Sequence, residues 1–461
     1  MSILAAFMVP HPPLIVPQVG RGNEEEIRAT REAYQRVARE IGALAPETVV
    51  VSSPHAVMYS DYFHLSPGRR AGGSFARFNA PEVRFQETYD EELVETIERL
   101  ASERGFPAGT LGERERDLDH GTMVPLFFLR QALPKYRLVR IGLSGLPLTE
   151  HYRLGQLIRE AVEQTGRRAV FIASGDLSHM LQTYGPYGFA PEGPEYDARI
   201  MDVCSRAAFG ELFDFDEGFC EKAAECGHRS FVMMAGAFDG LAVKAERLSH
   251  EDGTGVGYGI CTFYPQGVAE GRDFLEQYLA RQAEALSQRR EREDPWVKLA
   301  RQAVESYVRE GKQLRIPEGL PSELLARRAG AFVSIHEKGR LRGCIGTIGP
   351  TADCLAGEII QNAVSACSRD PRFRPIRPEE LPWLEISVDV LGEPEDVASE
   401  DELDVKEYGV IVTSGHKRGL LLPDLEGVDT VEDQIGIARQ KGGIGAHERY
   451  TLQRFEVVRH H

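Results

Sequence analysis

Three short apolar runs, each followed closely by a histidine, constrain this chain more than any other feature. They are ILAAFMVPHPP around His11, TVVVSSPHA around His55 and AVFIASGDLSH around His179. Each run has the length and β-branched content of a strand buried on both faces. The polar residues come where the strand should stop, after a Pro or a Ser-Gly-Asp turn. In open α/β sheets the loops leaving the carboxyl ends of the strands form the ligand crevice, so imidazoles far apart in sequence can converge there. Either His11 or His55 alone would read as a satisfied turn residue. Only the repeated strand-end placement turns the reading toward a site.

Helical patterns separate these runs. Ile27, Tyr34, Val37, Ile41 and Leu44 recur at helical spacing behind Asn23, which reads as an N-cap. Glu91 to Glu103 reads as a helix stopped by Gly105, and Thr149 as the cap of a helix running to Gln164. Residues 56 to 88 read as a loop excursion with short strands, and the Gly/Pro-rich stretch Tyr184 to Pro194 as a lid. Phe231 to Phe238 should be a buried helix and Gly257 to Tyr264 a last strand. Strand–helix–strand succession predicts an α/β fold: a three-layer N-terminal domain with a central, mostly parallel or mixed sheet.

A chain of 461 residues needs more than one domain. The charged run ending in Arg289-Arg290-Glu291-Arg292-Glu293-Asp294 marks a connector, giving residues 1–266 as the first domain, 267–293 as a helical link and 294–461 as the second domain. In the second, Ala331 to His336, Leu341 to Ile348, Leu384 to Leu391 and Gly409 to Thr413 read as strands. Ala356 to Ser368 reads as a helix, and the acidic stretch Glu393 to Glu407 as an exposed loop. These predict an α+β domain.

A net charge of −17 argues against nucleic acid, since a phosphate backbone needs a basic surface. The apolar segments are too short for a bilayer, and the strand-like N-terminus does not read as a signal peptide. Seven scattered cysteines, none in a CxxC pair, fit reduced thiols in a cytoplasmic setting. Small-molecule chemistry fits this balance best, and a homo-oligomer is left open.

Two neutral histidines and one carboxylate, with open positions opposite, make a facial triad suited to non-haem Fe(II). His11 and His55 are the candidate imidazoles. Glu225 is the best-placed carboxylate, but Cys226 adjoins it and His228 lies just beyond, so one of these three completes the set. A thiolate would suit softer metals. His179, in Ser174-Gly175-Asp176-Leu177-Ser178-His179, suits proton transfer, because an imidazole can both take and return a proton near neutral pH. His120, after Asp119, is placed to touch substrate or bound oxygen, or else to help cap the following helix, and Asp176 alone reads as an Asx-turn residue. In the second half, Leu341-Arg342-Gly343-Cys344-Ile345-Gly346-Thr347 puts a thiol close to the Arg342 guanidinium, which could lower its pKa. Ser368-Arg369-Asp370-Pro371-Arg372 is a Pro-set turn whose arginines, Arg369 among them, could grip an anion.

Pro10-His11-Pro12-Pro13, Ser53-Pro54-His55, Asp119-His120-Gly121-Thr122-Met123-Val124-Pro125-Leu126 and the His179 motif resemble the class III extradiol ring-cleavage dioxygenase catalytic (B-type) subunit and the related Memo family. The resemblance covers about the first 265 residues. It implies Fe(II) held by His11, His55 and Glu225, with His179 as acid/base, a small aromatic diol as substrate and O2 as co-substrate. The Cys226-Gly227 pair also resembles Memo proteins, where such a segment supplies a thiol, which implies Cys226 instead. The Cys344 motif, the Arg369 turn, Pro378-Glu379-Glu380-Leu381 and Gly419-Leu420-Leu421-Leu422-Pro423 resemble the AMMECR-type domain over residues 294 to 458. That domain often accompanies Memo-like and radical-SAM proteins. Three readings follow: a ring-cleaving dioxygenase with an accessory domain, a metal-binding or scaffold protein working with a radical-SAM partner, and a metal-dependent hydrolase.

Overall fold

The computed structural model describes residues 3–114, 117–337, 339–425, 427–445 and 447–461. It divides into two compact units, one ending at Leu279 and one beginning at Ala280. The dividing point falls inside the charged helix Phe274–Arg292.

The first unit is built on a six-stranded mixed sheet. Its strand order is Arg137–Gly142, Thr48–Ser53, Ala169–Ser174, Ile3–Val9, Tyr258–Val268, Leu241–Glu251. The first four are parallel, with Thr48 opposite Arg137 and Val9 opposite Ser174. The last two are antiparallel. Near-continuous apolar runs are what a parallel strand covered on both faces requires, and successive residues do part to opposite sides. Ala6 and Met8 join Val50, Phe171 and Ala173 in one core, with helices Glu91–Glu103, Leu148–Gln164 and His228–Gly236. Ala5, Phe7 and Val9 join Val49, Val51, Val170 and Ile172 in the other, with helix Arg28–Leu44 and helix His120–Leu129. Three layers result, and the carboxyl ends of the four parallel strands open on one edge.

Local details differ from expectation. Asn23 opens a short 3-10 turn, Asn23–Ile27, in which the Glu24 carboxylate accepts the Gly22 N–H at 2.7 Å. The α-helix begins at Arg28 behind Ile27, and its first free N–H groups, those of Ala29 and Thr30, are accepted by the Glu251 carboxylate. Thr149 caps nothing, because the helix already starts at Leu148 behind Pro147. The excursion after His55 folds as a hairpin, Arg70–Phe75 with Ala80–Thr88. Leu241–Glu251 was not foreseen as a strand: it lies at the sheet edge, where side chains such as Glu246 and Arg247 meet water and dilute the apolar signal.

The second unit has two four-stranded antiparallel sheets. One runs Arg340–Gly346, Ala331–Glu337, Leu384–Leu391, Val457–His460, and the other Glu395–Val397, Thr451–Phe455, Gly409–Ser414, Lys417–Leu421. Helices Pro295–Glu310 and Leu355–Ser368 bury the first sheet, and Val431–Lys441 packs on the second. Part of the acidic stretch expected to be a loop forms the strand Glu395–Val397 and a capped 3-10 turn, Glu400–Glu402.

Candidate metal centre

His11 lies two residues past the strand Ile3–Val9, and His55 two past Thr48–Ser53, so both reach the open edge of the sheet. Their Nε2 atoms face each other at 3.0 Å. Cys226 Sγ lies 3.7 Å from His11 Nε2, and the three donor atoms form one cluster. Two nitrogens each about 2.1 Å from one ion, at right angles, stand about 3.0 Å apart, and a sulfur at about 2.3 Å adds a third vertex at a comparable spacing. The donor set fits a divalent transition metal.

The surroundings prepare His11 for this role. Ser174 Oγ donates to the Gly121 carbonyl at 2.6 Å, so it must accept from His11 Nδ1–H, 3.0 Å away. That hydrogen bond leaves Nε2 bare for a metal, the usual task of an outer-shell partner. Burial, with His55 adding to it, holds the His11 pKa well below the usual histidine value. Burial lowers that of His55 as well. Both rings are therefore neutral near pH 7, as ligation requires. Burial also pushes the Cys226 thiol well above its ordinary value, with the Asp176 and Glu225 carboxyls adding to the shift.

Cys226 is held by its neighbours. The Asp176 N–H donates to its sulfur at 3.3 Å, while the Asp176 carboxylate accepts the His11 N–H at 2.7 Å. Asp176, His179 and Cys226 form a second donor cluster that shares the sulfur. Asp176 thus joins the two strand-end loops and is more than a turn residue. His179 donates Nδ1–H to the Ala224 carbonyl at 2.6 Å, so its Nε2 is left for exchange. The loop expected to be a lid reaches it through Tyr187, whose ring meets the His179 ring edge-on at 5.0 Å.

Glu225 and His228 go elsewhere. The Glu225 carboxylate accepts the His228 N–H at 2.5 Å, as a cap for the helix His228–Gly236, and burial raises its pKa to about 7. The His228 ring is spent in the core, on the Leu212 carbonyl at 2.9 Å and Tyr196 Oη at 3.3 Å. Among the described residues neither belongs to a donor cluster. The N-cap residue, Gly227, has no side chain to offer, so the Glu225 carboxylate takes an N–H that the helix itself leaves unpaired.

Asp119 caps the helix His120–Leu129, accepting from Thr122 N at 2.9 Å, Thr122 Oγ1 at 2.8 Å and Ser53 Oγ at 2.6 Å. Arg140, fully buried, reaches it at 3.5 Å. Burial alone would raise the Asp119 pKa, but Arg140 and these hydrogen bonds outweigh it and hold the group ionised. The cap turns His120 into the site, its ring centroid 4.0 Å from that of His55. Burial, His55 and His11 bring the His120 pKa down to about 4. Phe78, from the tip of the hairpin, meets the His120 ring at 5.4 Å. Sequence reasoning missed Phe78, whose only signal is an aromatic in a turn, and the ring-fixing role of Ser174, the last residue of its strand.

In the second unit Arg342 does not flank the thiol. Its Nε donates to Glu380 Oε1 at 2.7 Å and its Nη1 to the Arg374 carbonyl at 2.8 Å. The guanidinium beside Cys344 is that of Arg372, which donates to the Cys344 carbonyl at 3.2 Å. Arg369 terminates the helix Leu355–Ser368.

Sheet topology, strand-end histidines and the capped His120 helix define one class of protein, and the chain belongs to it: the family of the catalytic LigB subunit of aromatic ring-opening dioxygenase, whose model matches residues 5–261. The AMMECR1 family model matches residues 297–460. A Clostridium acetobutylicum protein, CA_C1420, is 40% identical over 100% of this chain and 99% of its own length, so both halves occur together there. A Thermotoga maritima protein is 51% identical over 36% of this chain and 98% of its own. Among solved structures, uncharacterized protein PH0010 from Pyrococcus horikoshii is 30% identical, covering 36% of this chain and 88% of that one, with a TM-score of 0.34. Uncharacterized protein JW3007 from Escherichia coli K12 is 15% identical, covering 56% and 99%, with a TM-score of 0.39. No described helix is long and apolar enough to cross a membrane.

Proposed function

We propose that the first unit is a metal-dependent, extradiol-type dioxygenase-like enzyme that opens the ring of a small catechol-type substrate. In this reading His11, His55 and Cys226 hold Fe(II), and the AMMECR-type unit is accessory. The observation that carries it is the 3.0 Å approach of the two imidazole Nε2 atoms beside the Cys226 sulfur. When bound, Fe(II) would supply the redox chemistry with dioxygen that amino-acid side chains lack.

The protein's own groups take the remaining tasks. Ser174 fixes the His11 ring. His179, oriented by the Ala224 carbonyl, takes a proton from a substrate hydroxyl at Nε2 and returns it later. His120, neutral near pH 7, offers a hydrogen bond without a charge, and Phe78 shields its outer side. Anaerobically purified protein, analysed for metal and then given catechol in an oxygen electrode, tests this reading. Iron near one per chain with catechol-dependent uptake supports it, and iron without uptake overturns it.

A second reading has its own support in the thiol at the third donor position, where a carboxylate was expected to favour oxygen chemistry. In that reading the unit is a metal-binding protein that cleaves no ring and works with a radical-SAM partner. Metal lost in Cys226→Ser, no oxygen uptake by the parent protein and co-purification with a radical-SAM protein would favour it.

A further inference from the structure

We infer that Asp197, backed by His250, is a positioning pair that sets the direction of the His179 ring, a role that rests on the reading of His179 as the proton carrier. Asp197 stands on the helix Glu192–Ser205 and is fully buried, and its carboxylate joins two other segments. Oδ1 accepts the Ser178 N–H at 2.9 Å, and Oδ2 accepts the Nε2–H of His250, on the strand Leu241–Glu251, at 2.8 Å. A buried carboxylate is costly unless its oxygens find donors. Here one donor is the backbone next to His179.

A glycine makes room for this contact. A Cβ on Gly257 would stand 1.9 Å from Asp197 Oδ2. Gly257 also grips the same segment: its carbonyl accepts the Leu177 N–H at 2.9 Å, and its N–H donates to the Ser178 carbonyl at 2.8 Å. Ser178 Oγ donates to the Ala223 carbonyl at 2.8 Å and accepts the Met180 N–H at 2.9 Å. Ser178 is thus engaged through its N–H, its carbonyl and its hydroxyl. The His179 ring is held from the far side by the Ala224 carbonyl. Ala224 has φ +51°, a left-handed conformation rare for a residue with a Cβ, and that turn presents the carbonyl to Nδ1–H.

Among these contacts the Asp197 carboxylate alone brings a charge, and a charge-assisted hydrogen bond is roughly twice as strong as a neutral one. Burial pushes the Asp197 pKa up, with Asp252 adding to it, while His250 and the Ser178 N–H pull it back. Without His250 the carboxylate would take a proton more readily and hold Ser178 less firmly. A tie between helix and strand also stabilises the unit, but that role alone leaves the His179 tautomer untouched.

Ring 1H–15N correlation spectra of the full-length chain with Zn(II) added test the pair, with His179→Gln assigning the signal. The parent should carry the His179 ring proton on Nδ1 alone. Asp197→Ala should give a mixture of both tautomers, and Asp197→Asn, which keeps an acceptor for the Ser178 N–H, should restore the single form. His250→Leu, which strands Oδ2, should also give the mixture, and His250→Gln should not. With iron and catechol, Asp197→Ala should lower kcat at least about tenfold and leave KM nearly unchanged, since a small misplacement of a reacting group costs that much or more. A single Nδ1–H tautomer kept in Asp197→Ala, or in His250→Leu where Asp197→Ala does not fold, would overturn the inference, as would a mixture in the parent. Should the parent turn over no catechol, the dioxygenase reading falls, while the tautomer still decides for or against the pair.

Discussion

Gly175 and Gly227 pack backbone against backbone: a Cβ on Gly175 would stand 2.1 Å from the Gly227 Cα, and one on Gly227 would stand 2.4 Å from the Phe231 ring. This contact sets the Cys226 sulfur against the Asp176 N–H, and so within reach of His11. The donor cluster depends on two residues that have no side chain. Gly227→Ala should part the two loops and cut metal affinity by at least about tenfold, the worth of roughly 1.4 kcal/mol. Titration with Fe(II) or Zn(II) measures this, and unchanged affinity would show that the glycine contact does not position the thiol.

The choice among the third-ligand candidates is open to direct test. Cys226→Ser should leave the purified protein largely free of metal, while Glu225→Gln should retain it, since Glu225 serves the His228 N–H. Metal content by mass spectrometry decides the matter, and the reverse result would return the site to a carboxylate.

His179→Ala should keep the metal and lose turnover, because its Nδ1 is engaged with Ala224 and its Nε2 is left for proton exchange. A fall in metal content in that variant would make His179 a ligand through the cluster it shares with Asp176 and Cys226.

Asp119 couples a helix cap to a buried guanidinium. Asp119→Ala removes the cap, worth about 1 kcal/mol, and the carboxylate facing Arg140. Breaking a buried pair from one side adds a larger penalty, so a total near 3 kcal/mol is expected. Urea unfolding of the first unit measures it, and a loss below about 1 kcal/mol would mean that the Ser66 and Asp117 contacts of Arg140 suffice.

Acid should destabilise the first unit through His151. Burial lowers its pKa from 6.5 to about 3, its ring wedged edge-on against Phe63. The unfolded chain binds the proton more readily between those values, so stability is full above about pH 6.5 and falls as pH drops toward 3. The shift corresponds to a loss of order 4 kcal/mol. His228, brought down to about 4 mainly by burial, acts in the same direction. His151→Gln should flatten the dependence of the unfolding midpoint on pH between 6.5 and 4, and an unaltered slope would exclude His151 as its source.

Much of the fold was legible in the chain because its physical cause is local. Unbroken apolar runs such as Phe7-Met8-Val9 and Val49-Val50-Val51 leave no face for water, so the strands had to be covered on both sides. Strand ends marked by Pro10 and Pro54 put His11 and His55 at one edge of a sheet. The edge strand Leu241–Glu251 and the late strands of the second unit were not legible, since their side chains are half wet and their partners lie far away in sequence.

What the chain determined by itself was the set of strand-end donors. Tertiary structure alone decided which of them come together as one donor cluster. Glu225, Cys226 and His228 are near neighbours in sequence, yet a capped helix turns one carboxylate to a backbone N–H and one imidazole into the core, leaving the sulfur for the site. The second unit followed the same rule: Arg342 is nearest to Cys344 in sequence, but Glu380 and two backbone carbonyls claim it and Arg372 takes its place. Side-chain direction depends on which hydrogen-bond partner lies within reach, and packing supplies those partners from distant parts of the chain.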